Sequence, residues 1–149
     1  MLGSTARKLR ILGFDTVYDP KSEDGELIRM AAASDRILLT SDTELYFRAK
    51  KARTGAILVH GTNEDDRLFQ ILSKSGVRQI QVHGLISLCS LCNGRLVSTG
   101  AKNQNGVEVY SCLSCGRKYW RGSHWKKMAI LFNSVNSKLA ETSRQNHAG

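Results

Sequence analysis

Two C-x₂-C pairs constrain this chain more than anything else in it. Cys89-Ser-Leu-Cys92 and Cys112-Leu-Ser-Cys115 are separated by nineteen residues and use all four cysteines. Each pair bends the backbone so that two thiolates point at one centre. Two pairs supply four soft ligands in a tetrahedron, the geometry that Zn²⁺ takes. The spacing is that of a zinc ribbon. A glycine follows each pair closely, Gly94 and Gly116, and a small residue there lets the chain turn back with its amides facing the sulfurs. The competing pattern is two disulfides in a secreted protein. The spacing argues against it, and so does a basic start that lacks an apolar signal core. Four protein ligands close a zinc site, so this one is expected to fold a ribbon and leave no open position for catalysis.

The chain has 149 residues, of which 41% are hydrophobic, room for one domain with a real core plus a small module. No run of about 18 apolar residues occurs, so no membrane span is expected. Zinc thiolates fit a reducing, intracellular compartment, whether cytoplasm, nucleus or an organelle. The net charge of +9 is uneven. Residues 1–84 hold thirteen Lys/Arg and eleven Asp/Glu; residues 85–149 hold nine Lys/Arg against Glu108 and Glu141. The second part is a basic surface, and a polyanion, nucleic acid before membrane, is its natural partner.

Taken in order, residues 1–12 predict a helix, with Leu2, Ala6, Leu9 and Leu12 at helical spacing and Gly13 as its stop. Thr16-Val17-Tyr18 is a short strand candidate. Asp24 opens a second helix with Leu27, Ile28 and Ala31 as its buried stripe. Residues 37–40 and 56–59 are short apolar runs that predict buried strands, with a helix over 43–53 between them. Asn63, Asp65 and Asp66 offer caps for a helix carrying Leu68, Ile71 and Leu72, and residues 79–82 are a last strand candidate. Alternating helices and apolar strands predict an α/β fold, a parallel sheet with flanking helices. The alternation opens on a helix, so the first strand such a sheet needs near its centre is missing. The expected organisation is a sheet domain over 1–84, a zinc ribbon with a basic and aromatic segment over 85–128, and a polar tail over 129–149. Residues 125–132 predict a short helix, and 133–149 are expected to be frayed.

Ligands of open parallel sheets bind beyond the carboxyl ends of the strands. Asp42 lies there, directly after the 37–40 strand, and Asp24 starts the helix that feeds it. Two converging carboxylates can hold Mg²⁺ or Mn²⁺, and Glu44 can contribute from the next helix start. Helix capping is the competing explanation for Asp24 and Asp42. In the ribbon, Arg117, Lys118, Trp120, Arg121, His124 and Trp125 interleave cations with aromatic rings. Rings stack on unpaired bases and cations meet phosphates. At least one of the two tryptophans is expected instead to pack the ribbon onto the sheet domain.

Met1-Leu-Gly-Ser-Thr-Ala-Arg-Lys-Leu-Arg-Ile-Leu-Gly-Phe-Asp15, Asp24-Gly-Glu-Leu-Ile28, Arg36-Ile-Leu-Leu-Thr-Ser-Asp42-Thr-Glu-Leu45, both cysteine pairs and Tyr119-Trp-Arg-Gly-Ser-His-Trp125 occur in this order. Together they resemble the Mut-seven C-terminal ribonuclease domain family over about residues 1–128. The resemblance implies a PIN-like nuclease fold fused to a zinc ribbon, with Asp24 and Asp42 binding Mg²⁺ or Mn²⁺ for cleavage of single-stranded RNA. It also implies a strand ending in an aspartate just before the Met-Leu-Gly segment. The functions to weigh are therefore a metal-dependent ribonuclease, impaired where that strand is lacking, and an RNA-binding zinc module without activity. A zinc-ribbon adaptor for a protein partner is a third, which the basic second half disfavours.

Overall fold

The computed structural model describes residues 2–81 and 87–148, the last three of these by backbone alone. Helix α1 (Gly3–Ile11) buries Thr5, Ala6, Leu9 and Arg10. Gly13 stops it with φ of 94°. The Gly13 amide donates to Arg10 O and the Phe14 amide to Leu9 O, closing the helix end with the left-handed residue that glycine adopts without strain. Helix α2 (Asp24–Ala33) leads into strand β1 (Leu38–Thr40). Helix α3 (Thr43–Lys51) crosses over to strand β2 (Ala56–Leu58), which pairs parallel with β1, Leu38 against Ala56 and Thr40 against Leu58. Helix α4 (Glu64–Lys74) follows, with Asn63 accepting the Asp66 amide as its N-cap.

The ribbon is an antiparallel sheet of β3 (Leu96–Lys102), β4 (Glu108–Cys112) and β5 (Lys118–Trp120) in that order. Helix α5 (Ser123–Ala148) closes the chain. The 84/85 boundary between sheet domain and ribbon lies outside the described residues.

Two apolar clusters hold the elements together. The smaller packs Ala31 of α2 and Leu45 and Ala49 of α3 onto Leu38 and Ala56 of the sheet. The larger joins Leu9, Ile57, Val59, Leu68, Ile71, Leu72 and Ile80 to Met128, Phe132, Val135 and Leu139 of α5.

Three expectations need correction. The stretch from residue 133 is not frayed over its described residues: α5 runs 26 residues, Ser123–Ala148, and Val135 and Leu139 are buried together with Phe132. Its buried apolar positions 128, 132, 135 and 139 recur at helical spacing, and of the polar residues between them Ser134 and Lys138 pair with α4 and Asn136 with Ile80. Residues 16–18 are not a strand. The Thr16 amide donates to Asn93 Oδ1, and its carbonyl accepts from Arg10 Nε, so its backbone is spent on side chains rather than on a ladder. The same holds at residues 79–81, where both backbone groups of Ile80 are taken by the side-chain amide of Asn136. Val82, the end of that strand candidate, lies outside the described residues.

Candidate metal centre and acidic edge

Sulfurs of Cys89, Cys92, Cys112 and Cys115 all lie within 4.8 Å of one another, and no cysteine is in a disulfide. Cys89 Sγ is 3.7 Å from Cys115 Sγ, and Cys92 Sγ is 3.4 Å from Cys112 Sγ. A tetrahedron with Zn–S bonds of about 2.3 Å has edges of about 3.8 Å. The cluster is therefore close to the size that the ion requires.

Both knuckles fold by one hydrogen-bond pattern. The Cys89 amide donates to Gly94 O and the Asn93 amide to Cys89 O. In the second knuckle the Cys112 amide donates to Arg117 O and the Gly116 amide to Cys112 O. The Ser114 and Cys115 amides also point at Cys112 Sγ, at 3.4 and 3.5 Å. Each turn passes through a left-handed residue, Asn93 at φ 67° and Gly116 at φ 76°. Gly94 therefore does not make the first turn, as the sequence suggested. Its role is space: a Cβ there would lie 2.7 Å from both Cys112 Sγ and Ser114 Oγ.

The electrostatics fit a bound cation. Burial pushes the Cys89 thiol up, but a hydrogen bond from Tyr119 and the amides of Cys92 and Leu91 outweigh it and bring it down to about 6. Cys92 is pushed the other way, to about 12, chiefly by the neighbouring Cys112 sulfur. Four thiols this close cannot all ionise unaided, and a divalent cation removes the conflict. Zn²⁺ would be held by the four sulfurs, with the Tyr119 hydroxyl 2.9 Å from Cys89 Sγ orienting one ligand from behind. Nothing in the C-x₂-C pattern pointed to Tyr119; its place in β5, pairing with Tyr110 of β4, brings it there.

The first knuckle is stapled to α1. Buried Arg10 donates through Nη1 to Ser90 O and Leu91 O, and its own carbonyl accepts the Leu88 amide. Ser87 Oγ donates to Ile11 O. Asn93 Nδ2 donates to Asp15 Oδ1, and Asp15 pairs with Arg36 at 2.8 Å. The hydrogen bond from Arg36, with that from Asn93, holds the Asp15 carboxyl below its usual range.

The acids sit at the carboxyl edge of the parallel sheet. Asp42 follows β1 and caps α3, its Oδ1 accepting the Glu44 and Leu45 amides. Capping is thus a real part of its role, while among the described residues no hydrogen bond reaches Oδ2. Glu44 is exposed in the first turn of α3. Asp24 is the first residue of α2, preceded by Glu23 at the cap, and its Oδ2 lies 3.5 Å from Arg48 Nη1, one turn beyond Glu44 on α3. All three acids are exposed, Asp42 and Glu44 at the start of α3 and Asp24 at the start of α2. Among the described residues, however, only the four cysteines form a group of three or more His, Cys, Asp or Glu side chains close enough to share an ion. The site missing from the sequence reading is Glu64, whose carboxylate accepts from buried Thr5 and pairs with Lys8 and Arg67.

The basic and aromatic residues divide. Trp125 packs on the large core, edge-on to Phe132 at 6.4 Å, with Arg121 stacked over its ring at 4.5 Å. It is the tryptophan that joins ribbon to core. Trp120 is 55% exposed. Arg117, Lys118 and His124 are exposed. Among the described residues no helix is long and apolar enough to cross a membrane.

The family model described as the Mut7-C RNAse domain matches residues 1–132. No curated protein and no solved structure matches the chain.

Proposed function

The chain belongs to the Mut7-C RNase domain family, and on that premise we propose that it is a metal-dependent ribonuclease acting on single-stranded RNA, with a PIN-like sheet domain and a structural zinc ribbon. The observation that carries the reading is the position of Asp42. It stands where β1 ends, one oxygen committed to the α3 amides and the other without a protein partner among the described residues. Such an arrangement orients a carboxylate rigidly at the edge where open parallel sheets bind ligands.

Mg²⁺ or Mn²⁺ would supply charge to the phosphate oxygens and a more acidic water. Asp42 would hold it, with Asp24 from the start of α2 and Glu44 from the first turn of α3. Two exposed neighbours and one cap make a weak set, and Arg48 competes for Asp24. The sheet offers a route to a better one. Among the described residues nothing pairs with β1 on the side away from β2, and Ile37 beside it is 49% exposed. A parallel strand ending in an acid, laid along that edge as the family resemblance implies, would add a carboxylate next to Asp42.

The second reading, an RNA-binding zinc module without cleavage, is favoured by the absence of a three-acid group in the described residues. One experiment separates them. Labelled single-stranded RNA is incubated with the zinc-loaded chain, with Asp42→Asn, and with a version carrying the added strand, each with and without Mn²⁺. The ribonuclease reading expects Mn²⁺-dependent cleavage, strongest in the extended protein and reduced by about 100-fold or more in Asp42→Asn. Binding without cleavage by all three would leave the binding module.

A further inference from the structure

On the reading that RNA is the substrate, the ribbon sheet has one face to spare. Its inner face is spent on the metal centre, where Tyr119 meets Cys89 and Cys112 is buried. Side chains alternate along a strand, so Lys118 and Trp120 point the other way. Register places Ser111 opposite Lys118 and Val109 opposite Trp120, and opposed residues share a face. Lys118 Nζ donates to Ser111 Oγ at 3.3 Å, as that placement requires.

Trp120 is large, exposed and seated. A Cβ on Gly122 would lie 3.4 Å from its Cδ1 and Nε1, so one edge of the indole rests against bare backbone. It sits on β5, the edge strand, and among the described residues no strand lies beyond it. The ribbon sequence carries Arg95, Lys102, Arg117, Lys118 and Arg121 against one acid, Glu108, and Lys118 shares the face of Trp120. That acid is engaged by Ser98 and Tyr110. Val109, directly opposite Trp120, is half-buried, and Lys118 puts a cation on the same face. A flat base flanked by phosphates matches both the ring and that cation.

We propose that the outer face of the ribbon sheet stacks an unpaired base of single-stranded RNA on Trp120, with Lys118 on the adjoining phosphate. Trp125 takes no part, since its ring is packed between Arg121 and the core. The face holds substrate at a distance from the acidic edge, independently of cleavage.

The test uses the full zinc-loaded chain and fluorescence anisotropy with two probes, a short labelled oligouridine and an abasic ribose-phosphate chain of equal length. The expected result is weaker binding of the abasic probe and a loss of about tenfold in oligouridine affinity in Trp120→Ala, largely restored in Trp120→Phe. Trp120→Ala should leave the salt dependence unchanged, whereas Lys118→Gln should lower the slope by about one. Zinc content and circular dichroism exclude unfolding, and Trp120→Phe with the abasic probe decides the matter if Trp120→Ala does not fold. Equal binding of both probes, or of the wild type and Trp120→Ala, overturns the proposal and leaves Trp120 for a protein partner. No binding of either probe at low salt overturns it as well. Cleavage is scored separately, in this chain and in the version carrying the added strand, so binding of this kind with no cutting by either sinks the ribonuclease reading and leaves the stacking face standing.

Discussion

Cys112 and Gly94 are two halves of one contact, and substitutions at both report on the metal. Elemental analysis should find one Zn²⁺ per chain, and Cys112→Ser should lose it and unfold the ribbon, because binding and folding are linked. Gly94→Ala is the sharper case. It keeps all four ligands but places a methyl 2.7 Å from a liganding sulfur. Zinc transfer to a chromogenic chelator should be at least about tenfold faster than in the wild type, a shift of about 1.4 kcal/mol; an unchanged rate would show that the knuckle yields. The cysteines were legible because ligand spacing is local. The reason for Gly94 was not, since the contact it avoids comes from a residue on the other knuckle. Arg10 and Glu64 were hidden for the same reason: a charged residue reads as solvated until the fold shows what closes over it.

Helix α5 is where pattern reading stopped too soon. Strand and helix starts in the first half were legible because short apolar runs and caps are dense there, and β1, α3, β2 and α4 stand where the runs predict them. In α5 past Phe132 the large apolar residues thin to Val135 and Leu139, one per turn, and polar composition hid the stripe. The polar residues themselves bind the helix down. Lys138 Nζ lies 2.9 Å from Asp65 and 2.7 Å from Asp66, and Ser134 Oγ donates to Asp65. The hydrogen bond from Lys138 holds the Asp65 carboxyl below 3.8, and Asp66 with Asp65 holds the Lys138 ammonium above 10.5. Asp65 is depressed, so its contribution is present above its ordinary value and is lost as pH falls through the lowered one. Lys138 is raised, so its contribution is full below its ordinary value and is lost as pH rises through the raised one. The clamp between α4 and α5 should therefore act from about pH 4 to about pH 10. Lys138→Met should lower the urea midpoint relative to wild type across that window, and the two midpoints should converge below pH 3 or so. A constant difference at all pH values would mean that packing, not charge, is what the substitution removed.

The described molecule is a small parallel sheet and a four-cysteine ribbon locked by one helix and one arginine, and that lock would make a bound zinc a matter for the entire chain. Sequence alone separates the two parts cleanly, by charge and by motif. What it does not contain is the joint, because Arg10, Asp15 and Asn93 come from distant stretches and meet only once both parts have folded. Arg10 donates to Thr16 O, Ser90 O and Leu91 O from a site only 6% exposed. Removing its guanidinium leaves those carbonyls without donors, at a cost of about 3 kcal/mol. With the wild type, stripping zinc should withdraw the knuckle carbonyls that Arg10 binds and leave a buried cation short of partners, so the sheet domain should lose stability too. Thermal melts followed by far-ultraviolet circular dichroism should then show both parts weakened by chelator. In Arg10→Met the cation is gone, and chelator should weaken the ribbon while moving the sheet domain far less. If chelator shifts the sheet domain equally in both proteins, the coupling runs through α5 and Trp125 instead. If it shifts neither, the ribbon folds and unfolds on its own.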